Sequence, residues 1–478
     1  YWFRYGGTLS HDNKPEWDTI PTVVKEDIFF ARATVPDLCA LETVYKHPLR
    51  SEYTASEEDI NDAIHRIVPS EYKNTWQQLD NPLYAFKKIA KGPKIKKPKH
   101  IFFIVGESIP QWSLDETHKL LNICPGLWDF KSQPNTVQIP NFLPAGNVSR
   151  PSIVSLMSGI YDAGLELNER EQFWNGSFPT SFAYQMKQLG YQTIYWYGGN
   201  ASYGNFNHFG KAQGFDRVES ASIFCGPDAP KTWVGVYDHI FLENIEQQIK
   251  AIDTPTFHFI YTTSNHSPYK IEDSLLDYDP ATVMPHVGED LRSNKTRNKE
   301  LATYRYSDKA LFSFVDSMKK AYPDSLFIIT GDHSNLFGDL NNTSLIHRDY
   351  TLRDTFCTVA LLQHPDLDSN MITTQKGTHM SLMPTIIEAI APKGFEYYSI
   401  TPSLFDDQPE TLVTPYQWIT DSLMGDVRSD YGESNQPSAE PVTPIRPIDN
   451  HAKEARDWSL LTTWLINHEE KLFSKKDD

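Results

Sequence analysis

Asp332 and His333 stand side by side in Leu326-Phe-Ile-Ile-Thr-Gly-Asp-His-Ser334. An adjacent carboxylate and imidazole supply the oxygen and nitrogen donors that bind divalent cations. Taken alone, Gly-Asp-His also fits an ordinary turn after a strand. Other stretches add matching groups. Glu107 follows Gly106 at the end of the apolar run that begins at His100, and Ser149 precedes Arg150 and Pro151. His266 lies in Ser264-Asn-His-Ser-Pro-Tyr269, after another apolar run. Glu107, Ser149, Asp332 and His333 make a four-donor set suited to manganese or zinc. A metal contact would lower the pKa of the Ser149 hydroxyl and make it a nucleophile near neutral pH. His266 could then serve the leaving group or hold the substrate's anionic oxygens. Each residue also has a plainer reading. Glu107 could cap the next helix, Ser149 could be a helix N-cap, and His266 could be satisfied by its own loop.

These groups need rigid elements behind them. Leu326–Thr330 is expected as a buried strand broken by Gly331, and His100–Val105 as another ending at Gly106. Tyr191–Tyr197 is expected as a strand ending at Gly198-Gly199, with Thr256–Thr262 and Thr358–Leu362 as further strands. Helices are expected over Ser56–Ile67, Asn81–Ile89, Phe182–Leu189, Tyr304–Lys319 and His379–Ile390. A helix from about Pro151 to Ser158, capped by Ser149 and stopped by Gly159, offers free amides to an anion. Strands alternating with helices predict an α/β fold with a mainly parallel central sheet flanked by helices. Such sheets carry their chemistry at the carboxyl ends of the strands. The expected division is an N-terminal arm over 1–97, a catalytic domain over 98–400 and a C-terminal subdomain over 401–478. The last contains a Pro-rich connector, Gln436–Asp449, and a terminal helix with Trp458, Leu461, Trp464 and Leu465 on one face.

Composition excludes some partners. The formal charge of −18 and a pI near 5.3 disfavour nucleic acid and give no help at anionic surfaces. The basic cluster Lys87–Lys99 reads as a solvated linker. Cys39, Cys124, Cys225 and Cys357 are far apart and signal neither a zinc knuckle nor a disulfide framework. No signal peptide and no long apolar run is present, and Tyr1 rather than Met opens the chain, so a fragment is expected. The glycosylation triplets at Asn147 and Asn265 fall in the expected site loops and read as chance matches.

Taken in order, Val105-Gly-Glu-Ser108, Gly146-Asn-Val-Ser149, Tyr197-Gly-Gly199, Thr263-Ser-Asn-His-Ser-Pro-Tyr269, Thr330-Gly-Asp-His-Ser334 and His379-Met-Ser-Leu-Met-Pro-Thr385 resemble the alkaline-phosphatase-like superfamily. The likeness is to its sulfatase-type branch of lipoteichoic acid synthases and related phosphoglycerol or phosphoethanolamine transferases. The resemblance implies that Glu107, Asp332 and His333 hold the metal with Ser149, that Ser149 is the nucleophile, and that His266 contacts the transferred phosphate. Manganese is the expected metal, with zinc or magnesium as alternatives. Arg150, Tyr197 and His379 are expected at the substrate, with Asn205 and His208 as the polar candidates of the Asn200–Phe215 loop. That loop lacks the Arg by which lipoteichoic acid synthases hold phosphoglycerol, so the donor headgroup stays open between phosphoglycerol and phosphoethanolamine.

The leading expectation is therefore a metal-dependent transferase. It would move a headgroup from a phospholipid donor, through a covalent Ser149 intermediate, to a glycan or lipid acceptor. The resemblance also implies an extracytoplasmic domain anchored in a bacterial cell membrane by helices before Tyr1. A phosphodiesterase or sulfatase-type hydrolase is the alternative, although Ser149-Arg-Pro-Ser-Ile153 has Ile153 where sulfatases need Arg. An inactive envelope-associated binding protein is a further alternative, and the presence of Glu107, Ser149, Asp332 and His333 together argues against it.

Overall fold

The computed structural model describes residues 55–278, 295–334, 351–428, 432–436 and 451–472. Most of the expected arm before residue 55, nearly all of the Pro-rich connector, and Cys39 lie outside the described residues.

The centre of the fold is strand β1, His100–Gly106, buried along its whole length. A strand covered on both faces has no reason to alternate polar and apolar side chains, which explains its continuous apolar run. It pairs in parallel with β5 (Thr256–Tyr261) and β6 (Leu326–Gly331). β3 (Gln192–Tyr197) and β4 (Arg217–Ser220) extend the parallel sheet beyond β5. On the other side β7 (Ala360–Gln363) runs antiparallel to β6, and β2 (Thr136–Gln138) antiparallel to β7. The seven-stranded order is β2-β7-β6-β1-β5-β3-β4. The register matters for the site. Gly106 pairs with Gly331, so Glu107 and Asp332 leave the sheet next to each other.

Helices cover both faces. Ile101, Phe103 and Val105 pack with α3 (Ser149–Ser158), α4 (Phe182–Gln188) and α7 (His379–Ile390). Phe102 and Ile104 pack with α2 (Pro125–Lys131), α5 (Asp238–Lys250) and α6 (Lys295–Ala321). Each such side chain, fully buried, is worth about 1.5–3 kcal/mol, so β1 is anchored from both layers. Asp308 on α6 accepts hydrogen bonds from the amides of Gly126 and Leu127 at 2.7 and 2.9 Å, tying the start of α2 to the layer. α1 (Glu57–Ile67) is capped by Ser56 and packs on the terminal helix α8 (His451–Asn467), with Arg66 forked onto Asp457 at 2.7 Å for both bonds. Trp458, Leu461, Trp464 and Leu465 are all buried.

The expected helix over Asn81–Ile89 is instead a 3-10 turn, Pro82–Phe86, followed by a strand, Lys87–Ile89. That strand pairs antiparallel with Glu396–Tyr398, and Lys87 meets Glu396 at 2.6 Å. Backbone pairing with a distant edge thus overrides local helix propensity. Beyond residue 400 the chain forms an antiparallel sheet of Leu412–Val413, Gln417–Ile419, Leu423–Asp426 and Gly432–Ser434. Among the described residues Cys124, Cys225 and Cys357 are free thiols. No described helix is long and apolar enough to cross a membrane.

Candidate metal and nucleophile site

Glu107 and Asp332 are 2% and 0% exposed at the carboxyl edge of the sheet. The chain turns sharply after Glu107, with Ser108 in the left-handed region at φ 53°. That turn aims the Ser108 amide at Asp332 Oδ1, 2.7 Å away, and the same oxygen accepts from the His333 amide at 2.9 Å. His333 Nδ1 lies 2.7 Å from the Ser334 carbonyl. A carbonyl only accepts, so Nδ1 carries the hydrogen and Nε2 presents its lone pair to the cluster. Nε2 lies 3.6 Å from Asp332 Oδ2 and 3.8 Å from Glu107 Oε1.

Ser149 is not the N-cap. Val148 holds that position in extended backbone, φ −145° and ψ 163°, and Ser149 is the first residue of α3 with no side chain capping the helix. Its hydroxyl lies 3.3 Å from Glu107 Oε2 and 3.3 Å from His333 Nε2. Gly146 makes this possible. A Cβ there would fall 2.8 Å from Pro151 Cγ and 2.9 Å from the Ser152 amide, so only glycine lets the loop fold back on the helix start.

The donor set fits a divalent cation. Glu107, Asp332 and His333 each offer an atom within 4.8 Å of the others, and Ser149 Oγ joins them. Burial, and then the negative charge of Asp332, push the Glu107 carboxyl above its ordinary pKa. Burial alone would lower His333, but the Asp332 and Glu107 carboxylates override it and raise the imidazole. Two buried carboxylates this close call for more positive charge than one imidazole supplies.

Beside Ser149 opens a cavity of about 260 Å³, lined in part by Arg150, Tyr197, Trp233, Tyr261 and His266. His266 Nδ1 is 2.6 Å from the Ser267 carbonyl and donates to it, which leaves Nε2 as the nitrogen not used by its own loop. Trp233 donates to the same carbonyl at 3.0 Å and meets the His266 ring edge to face at 4.9 Å. Arg150 reaches Glu166 at 3.5 Å and Glu169 at 3.6 Å, and lies 5.3 Å from the centre of the Tyr203 ring. Tyr197 stacks on Tyr261, with centroids 5.3 Å apart and planes 2° from parallel.

Three residues expected at the substrate do not line this cavity. Asn205, in left-handed backbone at φ 54°, donates to Glu169 and braces the carboxylate that meets Arg150. His208 stacks on Trp174 at 4.8 Å, where burial lowers its pKa. His379 is 1% exposed and has both ring nitrogens engaged with the protein. Its Nδ1 accepts from the Ala145 amide at 3.1 Å and its Nε2 donates to the Gly331 carbonyl at 2.9 Å. It joins the loop before Ser149 to the strand end before Asp332. Asn265 is 2% exposed and donates to the Glu107 carbonyl at 3.2 Å, so its glycosylation triplet is a chance match.

Tyr261 and Trp233 line the cavity but carry no motif that marks them, whereas Asn200 and Tyr203, also in its lining, fall in the expected Asn200–Phe215 substrate loop. For Trp233 the available signal is an aromatic within the Gly- and Pro-punctuated stretch Gly226–Gly235.

A model of the Sulfatase family matches residues 99–391. A lipoteichoic acid synthase-like protein of Bacillus subtilis (strain 168), YvgJ, is 26% identical over 152 residues, covering 31% of this chain and 23% of that protein. The match thus spans under a quarter of that relative's length. A protein of the alkaline phosphatase superfamily from Vibrio parahaemolyticus aligns with a TM-score of 0.63 at 18% identity, over 88% of this chain and 98% of that one. The lipoteichoic acid synthase LtaP from Listeria monocytogenes aligns at 0.60 and 15% identity, over 87% and 99%. The C-terminal periplasmic domain of EptC from Escherichia coli, in complex with zinc, aligns at 0.52 and 16% identity, over 70% and 96%. These likenesses establish the fold, a mixed sheet between helical layers. The chain belongs to the Sulfatase family and has the fold of the alkaline phosphatase superfamily.

Proposed function

We propose that the protein is a metal-dependent transferase that moves a phosphodiester headgroup from a phospholipid to a hydroxyl of a cell-envelope glycan or lipid. The observation that carries this reading is the position of Ser149. Its hydroxyl is freed from capping, lies between Glu107 and His333, and opens onto the cavity.

Glu107, Ser149, Asp332 and His333 would hold the divalent cation, manganese by preference and zinc or magnesium otherwise. Bound there, such a cation would lower the pKa of the serine hydroxyl and offset negative charge on the phosphoryl oxygens. Ser149 Oγ, its hydroxyl proton released to solvent, attacks phosphorus as the alkoxide; the Oγ–P bond forms, and the bond from phosphorus to the diacylglycerol oxygen breaks. His266, on the cavity wall, gives a proton to that departing oxygen. In the second half it takes the proton of the acceptor hydroxyl, whose oxygen attacks phosphorus and releases Ser149. Tyr197, Tyr261 and Trp233 wall the headgroup and exclude water, favouring transfer over hydrolysis. With a phospholipid donor and a cell-envelope acceptor, the place proposed for this chemistry is the outer face of a bacterial cell membrane.

The test is release of diacylglycerol from phospholipid vesicles by the manganese-loaded protein. Wild type should release it and Ser149→Ala should not. Equal release by both proteins would refute the proposal. A headgroup found free in solution, even with acceptor present, would assign water as the acceptor.

A further inference from the structure

We infer that Trp233 is a positioning residue for His266: it holds the Ser267 carbonyl that receives the His266 Nδ1 hydrogen, and so keeps Nε2 as the nitrogen that exchanges protons. This rests on the transfer reading above. Two N–H groups converge on that one carbonyl, His266 Nδ1 at 2.6 Å and Trp233 Nε1 at 3.0 Å, and its two lone pairs take both. The rings meet edge to face, 4.9 Å apart and 86° from parallel, and both residues line the cavity. Ser267 is exposed and His266 half-buried, so the loop alone leaves this carbonyl open to water. Which nitrogen of a neutral imidazole carries the hydrogen follows from the bond the other nitrogen makes. In water the hydrogen prefers Nε2, which would block that nitrogen as a base. Held on Nδ1 by the carbonyl, the hydrogen stays there whether His266 is neutral or protonated, and only Nε2 changes.

Trp233 is itself held firmly. It sits at the tip of a tight hairpin in which Lys231 bridges Val236 and the Thr232 amide donates to the Gly235 carbonyl at 2.8 Å. The Val236 amide donates to the Gly198 carbonyl at 2.9 Å, docking the hairpin on the end of β3. A Cβ on Gly199 would fall 2.8 Å from the Val234 carbonyl oxygen, so Gly199 is what lets the hairpin approach. The same stretch runs into α5, whose first residue, Asp238, accepts from the amides of Thr263 and Ser264 at 3.0 and 3.1 Å. One segment therefore grips the His266 loop twice, at its base through Asp238 and beside the imidazole through Trp233.

The test reads the ring directly, by nitrogen NMR of the full chain carrying isotope-labelled histidine and diamagnetic zinc at mildly alkaline pH. The His266 signal is the one lost in His266→Gln. Wild type should show the hydrogen on Nδ1, and Trp233→Phe, which keeps a ring but lacks the N–H, should shift part of it to Nε2. With manganese and mixed phosphatidylglycerol and phosphatidylethanolamine vesicles, Trp233→Phe should lower kcat for diacylglycerol release about 5-fold, the worth of one hydrogen bond, with KM within about 2-fold. Trp233→Ala should lose at least as much. A wild-type His266 with its hydrogen on Nε2 overturns the inference, as does a Trp233→Phe protein with the wild-type tautomer. A loss confined to KM also overturns it and makes Trp233 a headgroup contact. No release by wild type refutes the transfer reading, while the tautomer, which needs no turnover, still decides the role of Trp233.

Discussion

The Tyr261 hydroxyl lies 2.8 Å from Glu107 Oε2 and 3.1 Å from Asp332 Oδ2, between the two carboxylates of the site. Burial, with Asp332 and Glu107 adding to it, holds the phenol far above its ordinary pKa, so it keeps its proton. One proton is therefore shared between two acceptors, and their repulsion is reduced without a net charge. Tyr261 comes from β5, whose register with β1 sets Tyr261 against Val105, two residues before Glu107.

Tyr261→Phe should keep the fold but weaken the site. Loss of one buried hydrogen bond costs about 1 kcal/mol of stability. Loss of a group that orients metal ligands typically lowers metal affinity by about 10–100-fold. Chelator titration monitored by elemental analysis, beside thermal melting, separates the two effects. Unchanged metal retention would remove Tyr261 from the site.

Asp332→Ala should remove most of the bound divalent metal, because Oδ2 is the oxygen turned to the cluster while Oδ1 is occupied by two amides. Elemental analysis of purified wild type and variant measures it. Full occupancy in the variant would take Asp332 out of the ligand set.

His379 gives a pH prediction. Burial lowers its pKa from an ordinary 6.5 to about 4, so in the fold it stays neutral. Between those values the unfolded chain binds more protons than the folded one. The stability it confers is complete above pH 6.5 and is lost as pH falls towards 4. Its share amounts to about 3 kcal/mol across that window. Asp162 and Asp308, pushed up by burial to about 6 and about 7, act with the opposite sign in the same range. They are common to wild type and His379→Gln, so the difference isolates the histidine. The variant should be less stable at pH 7 and should lose less on acidification to pH 4. Parallel denaturant curves for the two proteins would contradict this.

How much was legible in the sequence follows from the physics of each element. Strands buried on both faces read as continuous apolar runs, so the ends of β1 and β6 could be placed, and Glu107, Asp332 and His333 with them. Ser149 could be placed beside them, but not its position in the helix. N-cap and first helical residue differ by one step, and the choice depends on Val148 taking extended backbone. Asn200 and Trp233 come together through loop packing that no local pattern encodes. A Cβ on Gly235 would fall 2.4 Å from the Gly198 carbonyl oxygen, so the Trp233 loop is pressed onto the turn that leads to Asn200. The C-terminal sheet was missed because its strands are two to four residues long. A period of two needs more residues than that to show.

The central claim is that Ser149 carries the headgroup, and intact-protein mass measured after brief incubation with manganese and phospholipid vesicles tests it most directly. Wild type should gain the mass of one phosphorylated headgroup, and peptide mapping should place it on Ser149. Ser149→Ala should gain nothing and melt within a few degrees of wild type, since its hydroxyl caps no helix. Ser149→Thr should retain part of the labelling, because the hydroxyl remains. An unlabelled wild type that nonetheless releases diacylglycerol, or an Ser149→Ala variant labelled as fully as wild type, would contradict the account.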